Sequence, residues 1–172
     1  MFYTRFTNRD KECFGVSLAN YFEFNGQQGL AERVYDSFRD HPFVAPNGSV
    51  RALLCTRLVH DLTGGQYQGT FKYLSFQPDT QESLSRYIGD HAMEALMAIN
   101  EEIKAGRLLG GLESIDYRGQ ALVLQGLATR ELQHWIVDCD DGTVINNGEI
   151  RTINDSQLFF STLNAVLQID CA

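Results

Sequence analysis

The residues whose types and spacing could do the most chemistry lie between Asp138 and Glu149. This stretch has aspartate at its first and third positions, asparagine at its ninth and glutamate at its twelfth, the order of oxygen ligands in an EF-hand calcium loop. Two positions disagree, because Gly142 is fifth where a ligand belongs and Thr143 is sixth where the turn needs glycine. The flanking residues have strand-like patterns, whereas an EF-hand needs helices. We therefore expect a β-hairpin and no metal site.

A cysteine–histidine nucleophile is the second chemistry to consider, because the chain has four cysteines and four histidines. Cys13 with His41 or His60 stays open, since catalytic partners meet in space and not in sequence. However, Cys55 lies in a helical pattern, Cys139 ends an apolar run, and neither a CxxC pair nor a nucleophile elbow occurs. We expect free thiols, no catalytic residues and no cofactor. A small enzyme with a Cys–His or carboxylate site remains an alternative.

The charge balance points to the kind of partner. The chain has 14 Lys and Arg against 22 Asp and Glu, a formal net charge of -8. This sign disfavours nucleic acid, whose binding depends on Lys and Arg, and favours a basic protein partner. No apolar run reaches the length of a membrane span, and the first ten residues carry charges where a signal peptide would be apolar. We expect a cytoplasmic protein that does not bind membranes; its oligomeric state stays open.

The patterns of apolar residues predict the elements that position these side chains, and together they indicate one α+β domain over residues 1–172. A helix-rich part, 1–110, contains helical patterns at 27–40, 50–62 and 90–106 and one strand pattern at 66–77. In the last helical pattern the apolar stripe consists of Ala92, Leu96, Ile99 and Ile103. A strand-rich part, 111–153, predicts a mostly antiparallel sheet. The continuous apolar run at 121–124 indicates a central strand, and Asn147-Gly148 indicates a turn. The last part, 154–169, predicts an amphipathic helix that starts with the capping-box spacing of Asn154 and Gln157. We expect the sheet to pack against the N-terminal helices and this C-terminal helix.

Residues 119–169 also carry a series of features with a known counterpart. They are a strand that ends in glycine, a strand–turn–strand unit with Asp-Gly-x-Val, and an Asn-x-Ser helix start with an early Phe: Leu122–Gly126, Trp135–Asp138, Asp141–Val144 and Asn154–Ser156 with Phe159 or Phe160. In this the segment resembles the SUKH superfamily, a group of bacterial immunity proteins.

The resemblance implies a non-catalytic module that neutralises a toxin by binding it, with an acidic face against a basic toxin domain. Under this interpretation the partner-binding residues are Asp138, Asp140, Asp141 and Glu149. A phage or viral counter-defence protein that binds a host defence component is an alternative, since it shares the small size, the acidity and the lack of a catalytic motif.

Overall fold

The computed structural model describes residues 2–7, 9–74, 80–108, 123–128, 133–139, 142–152 and 163–172. The helices are α1 Cys13–Phe24, α2 Gln28–Ser37, α3 Cys55–Leu62, α4 Gln81–Ile88 and α5 Ala92–Lys104, with 3-10 turns at Phe38–Asp40, Ala52–Leu54 and Gly89–His91. The strands are β1 Phe2–Tyr3, β2 Tyr67–Leu74, β3 Val123–Ala128, β4 Gln133–Asp138, β5 Thr143–Asn146, β6 Glu149–Thr152 and β7 Leu163–Cys171.

The strands form one antiparallel sheet in the order β1-β6-β5-β4-β3-β7-β2. The predicted α+β class is confirmed. The helical patterns at 27–40, 50–62 and 90–106 become α2, α3 and α5, and the strand pattern at 66–77 becomes β2. Both edge strands, β1 and β2, come from the N-terminal part of the chain.

The predicted C-terminal helix is wrong over residues 163–169, which belong to strand β7 between β3 and β2. The rest of that prediction, with Asn154 and Gln157, lies outside the described residues. A spacing of four residues was ambiguous, because it is one helical turn and also two strand repeats. Ala165, Val166 and Leu167 are consecutive and fully buried, the pattern of a strand covered on both faces.

Turn chemistry determines the last hairpin. Asn147 and Gly148 have φ values of 53° and 88°, which is the positive-φ pair that a two-residue turn between twisted strands requires. This turn aligns Asn146 with Glu149 and Val144 with Arg151.

The main core lies between the helices and one face of the sheet. Trp135 on β4 packs edge-on against Phe14 of α1, with ring centroids 5.4 Å apart, and lies 6.4 Å from the ring of Phe71 on β2. Ser17 on α1 donates a hydrogen bond to the backbone oxygen of Trp135 at 2.9 Å. The buried cluster includes residues from the N-terminal helices and from the C-terminal strands.

Candidate functional site

Two of the four predicted partner-binding carboxylates lie in the described residues. Asp138 ends β4 and pairs in register with Val144, while Glu149 begins β6 and pairs with Asn146. Since paired residues share a face and alternate residues return to it, Asp138 and Glu149 lie on the face opposite Trp135. Both are partly buried. Asp140 and Asp141 lie outside the described residues.

Glu149 already has a local partner. Its Oε2 lies 2.8 Å from Nη2 of Arg151, while its Oε1 is buried and has no hydrogen bond among the described residues. A carboxylate paired with its own strand's arginine adds little net charge for attracting a basic partner. The assignment of Asp138 and Glu149 to a contact surface stays a prediction.

His134 on β4 makes a side-chain hydrogen bond on the same face of the sheet. Nε2 of His134 lies 2.6 Å from Oδ1 of Asn146. Burial lowers the pKa of His134, although the bond to Asn146 opposes this shift. A neutral imidazole that donates to an amide oxygen holds β4 and β5 together.

Burial disfavours the reactive thiolate form of two of the cysteines. Burial raises the pKa of Cys55 well above its ordinary value, and it also raises the pKa of Cys13. Catalytic cysteines need the opposite shift, because the thiolate is the nucleophile.

The histidines proposed as partners for Cys13 contact a carboxylate instead. His41 accepts the N–H of Phe43 on Nδ1, so its Nε2 donates to Asp61 at 2.9 Å, and His60 contacts the same carboxylate at 3.1 Å. Within the described ranges, no group of three or more His, Cys, Asp or Glu side chains is placed to hold a metal ion.

The surface that sequence reasoning missed is on α5. Met93 and Met97 lie one turn apart and are 48% and 58% exposed, and Ile103 is 49% exposed. At 100° per residue, Leu96 falls between Met93 and Ile103 around the helix, although Leu96 is partly buried against the core and the exposed Asn100 separates Met97 from Ile103. We call Met93, Leu96, Met97 and Ile103 the α5 stripe.

The opposite side of α5 explains why the stripe points outward. Ala92, Ala95, Ala98 and Ile99 are buried at 5% exposure or less, and Glu102 is buried at 1%. The small alanines let the helix lie close to its neighbours, while Glu102 pairs with Arg107 and lies 3.6 Å from Nε of Arg57. This buried face determines the rotation of the helix.

Carboxylates border the α5 stripe on one side. Glu94 and Glu101 follow Met93 and Met97 around the helix, and their side chains are 66% and 62% exposed. Glu94 lies 3.7 Å from Nδ1 of His91, and Glu101 pairs with Arg57. The α5 stripe therefore has an acidic rim formed by Glu94 and Glu101, and the exposed Lys104 lies on the same side of the helix, nearer its C-terminal end.

The helices in the described part of the chain are too short or too polar to cross a bilayer. No protein-family model, curated protein or solved structure matches this chain.

Proposed function

We propose that this protein is a non-catalytic binding module that sequesters a basic protein partner, as an immunity protein neutralises a toxin domain. The observation that carries the proposal is the pair Met93 and Met97, about half exposed and one turn apart beside Glu94 and Glu101. The predicted binding residues Asp138 and Glu149 lie on β4 and β6 and remain a prediction, and the α5 stripe is a second candidate surface.

The apolar part of the surface supplies affinity. Full burial of a methionine side chain is worth roughly 1.5–3 kcal/mol, and about half of each side chain remains to be buried. Covering Met93 and Met97 is therefore worth about 2 kcal/mol together, or roughly 30-fold in Kd. Methionine suits this role because its unbranched side chain adapts to the shape of the partner.

The charged part of the surface selects the partner. The net charge of -8 gives a negative field, and beside the stripe Glu94 adds more to it than Glu101, since Glu101 is paired with Arg57. Such a field speeds the approach of a basic protein and opposes an acidic one. A basic amphipathic helix is the segment that fits best, since its apolar face can pack along the stripe and its Lys and Arg can face the rim.

The proposal is tested with a defined probe, a labelled helical peptide of about 18 residues, or five turns, with leucines on one face and lysines and arginines on the other. A peptide of the same composition in a permuted order, which has no apolar face, is its control. We expect the amphipathic peptide to bind more tightly by fluorescence anisotropy, and to bind more weakly as salt rises to about 0.3 M.

Substitutions then locate the site. Met93→Gln with Met97→Gln should weaken peptide binding about 30-fold. Phe24→Gln is the matched control, because Phe24 is also 48% exposed but lies on α1, and it should leave the affinity unchanged. Equal binding of the two peptides, or an equal loss of peptide affinity in the two variants, would indicate nonspecific electrostatic or hydrophobic binding and would refute the proposal.

Neutralisation is tested in cells. Co-expression with a basic toxin domain encoded beside this gene should restore growth, and the Met93→Gln and Met97→Gln pair should lose the rescue while Phe24→Gln keeps it. Rescue that does not depend on the α5 stripe would separate toxin neutralisation from this surface.

A further inference from the structure

A cavity separate from the α5 stripe lies between α1 and the β5–β6 hairpin. Its volume is about 300 Å³, at the lower end of the range for small-molecule sites. Ile145 and Ile150 supply apolar wall, and Phe24, 48% exposed, is an aromatic ring at its border. The walls therefore suit a small apolar body, and the ring of Phe24 can stack against an aromatic one.

Asn20 on α1 is the key polar residue of this cavity, and it is only 1% exposed. Its Nδ2 donates to the backbone oxygen of Phe6 at 3.1 Å, which identifies the other amide atom as the oxygen. That Oδ1 is buried and has no hydrogen-bond partner among the described residues. Buried acceptors without a donor are uncommon in folded proteins, and each calls for an explanation.

The neighbouring polar groups indicate which ligand fits. The hydroxyl of Thr4 donates to the backbone oxygens of Phe6 and Gly148, at 3.0 and 3.1 Å, so its hydrogen is already used. Among the lining residues Arg5 is paired with Glu23, so the lining itself has no net charge, while Glu32 contacts Arg5 from outside the lining. The cavity thus offers acceptor oxygens in a locally neutral setting, and a neutral ligand with a hydrogen-bond donor complements it.

We propose that this cavity binds a small neutral aromatic molecule through an N–H or O–H donor that bonds to Oδ1 of Asn20. The apolar body packs on Ile145 and Ile150 with the ring of Phe24 beside it. This inference is independent of the proposed binding of a basic partner, because it uses no residue of the α5 stripe.

The test compares indole with 1-methylindole by calorimetry on the full chain. The two probes have similar apolar bodies, and only indole carries the N–H donor. Indole should bind at least about tenfold more tightly, because 1-methylindole leaves the buried acceptor unpaired. Equal binding of the two probes, or no binding of indole up to its solubility limit, would refute the proposal and leave a cavity that holds only water.

Variants assign the effect to Asn20. Asn20→Leu keeps the size of the side chain and should abolish the preference for indole over 1-methylindole. If that variant fails to fold, Ile150→Phe tests the site by narrowing the cavity, and it should weaken both probes alike. Met97→Gln should bind indole as the unmodified chain does, and a loss there would contradict the separation of the cavity from the α5 stripe.

Discussion

Replacing Glu102 with Gln should destabilise the protein far more than the same change at its neighbour Glu101. Both carboxylates lie on α5 and both pair with Arg57. Their settings differ, because the side chain of Glu102 is 1% exposed and also pairs with Arg107, whereas that of Glu101 is 62% exposed. The two variants thus compare one chemical change at a buried and at an exposed position.

The magnitude follows from burial. Loss of one partner of a buried ion pair costs about 3–5 kcal/mol when the remaining charge is fully buried. Here the side chains of Arg107 and Arg57 are 31% and 25% exposed, so water still reaches them. Glutamine also keeps part of the hydrogen bonding, and a charged hydrogen bond is worth about 1.5–3 kcal/mol. We expect Glu102→Gln to cost about 2–3 kcal/mol and Glu101→Gln less than about 1 kcal/mol.

Urea unfolding followed by tryptophan fluorescence measures the free energy of unfolding of each variant, and a thermal scan with the same signal measures Tm. Trp135 is the only tryptophan of the chain and is 3% exposed in the core, so its emission reports loss of the packing around β4. For a chain of this size, Tm should fall by roughly 5–10 °C in Glu102→Gln. Equal losses in the two variants would refute the reasoning, since they would show that burial of Glu102 does not set its contribution.

Two further predictions concern titratable groups. Cys171 should react with a thiol reagent in the folded protein while Cys55 reacts only after unfolding, because Cys171 is exposed and Cys55 is buried with a raised pKa; rapid labelling of Cys55 in the native state would contradict this. Burial lowers the pKa of His134, so the unfolded chain binds its proton more readily, and the free energy of unfolding should fall as pH drops from about 6.5 toward the lower folded pKa. Urea titrations at several pH values should show a shallower fall in His134→Gln than in the unmodified chain, and an unchanged profile would show that His134 does not contribute.

Where short-range chemistry decides the structure, the sequence predicts it well. The Asn147-Gly148 turn needs positive φ at both residues, and few other pairs supply it. The continuous apolar run at 121–124 indicated a central strand, and Val123–Ala128 indeed pairs with β4 and β7 on its two sides.

Elements without a polar face were harder to predict. Residues 14–22 of α1 are buried without a break, so no amphipathic stripe marks the helix. Strand β7 is buried on both faces at residues 165–167 and was interpreted as a helix for the same reason. Periodicity reveals an element only when one of its sides meets water.

The α5 stripe also could not be predicted from the periodicity of the sequence. The stripe of Ala92, Leu96, Ile99 and Ile103 correctly predicted a helix, but it mixes two faces, because Ile99 is buried and Ile103 is 49% exposed. Sequence alone does not say which of two apolar faces a helix buries. The contacts of buried Glu102 with Arg57 and Arg107 form only in the folded protein, and they determine which face of α5 points inward.

The rotation of α5 gives the strongest reason to regard the stripe as functional. The buried side carries the small residues Ala92, Ala95 and Ala98, while Met93 and Met97 face outward. Burial of large apolar side chains stabilises a fold more than burial of alanine, so a helix shaped by folding alone would place its methionines inward. Exposed methionines also favour self-association, which the carboxylates at their border oppose by repulsion between copies. Under the proposed function the same carboxylates would attract a basic chain, so one arrangement would both oppose self-association and favour a partner of opposite charge.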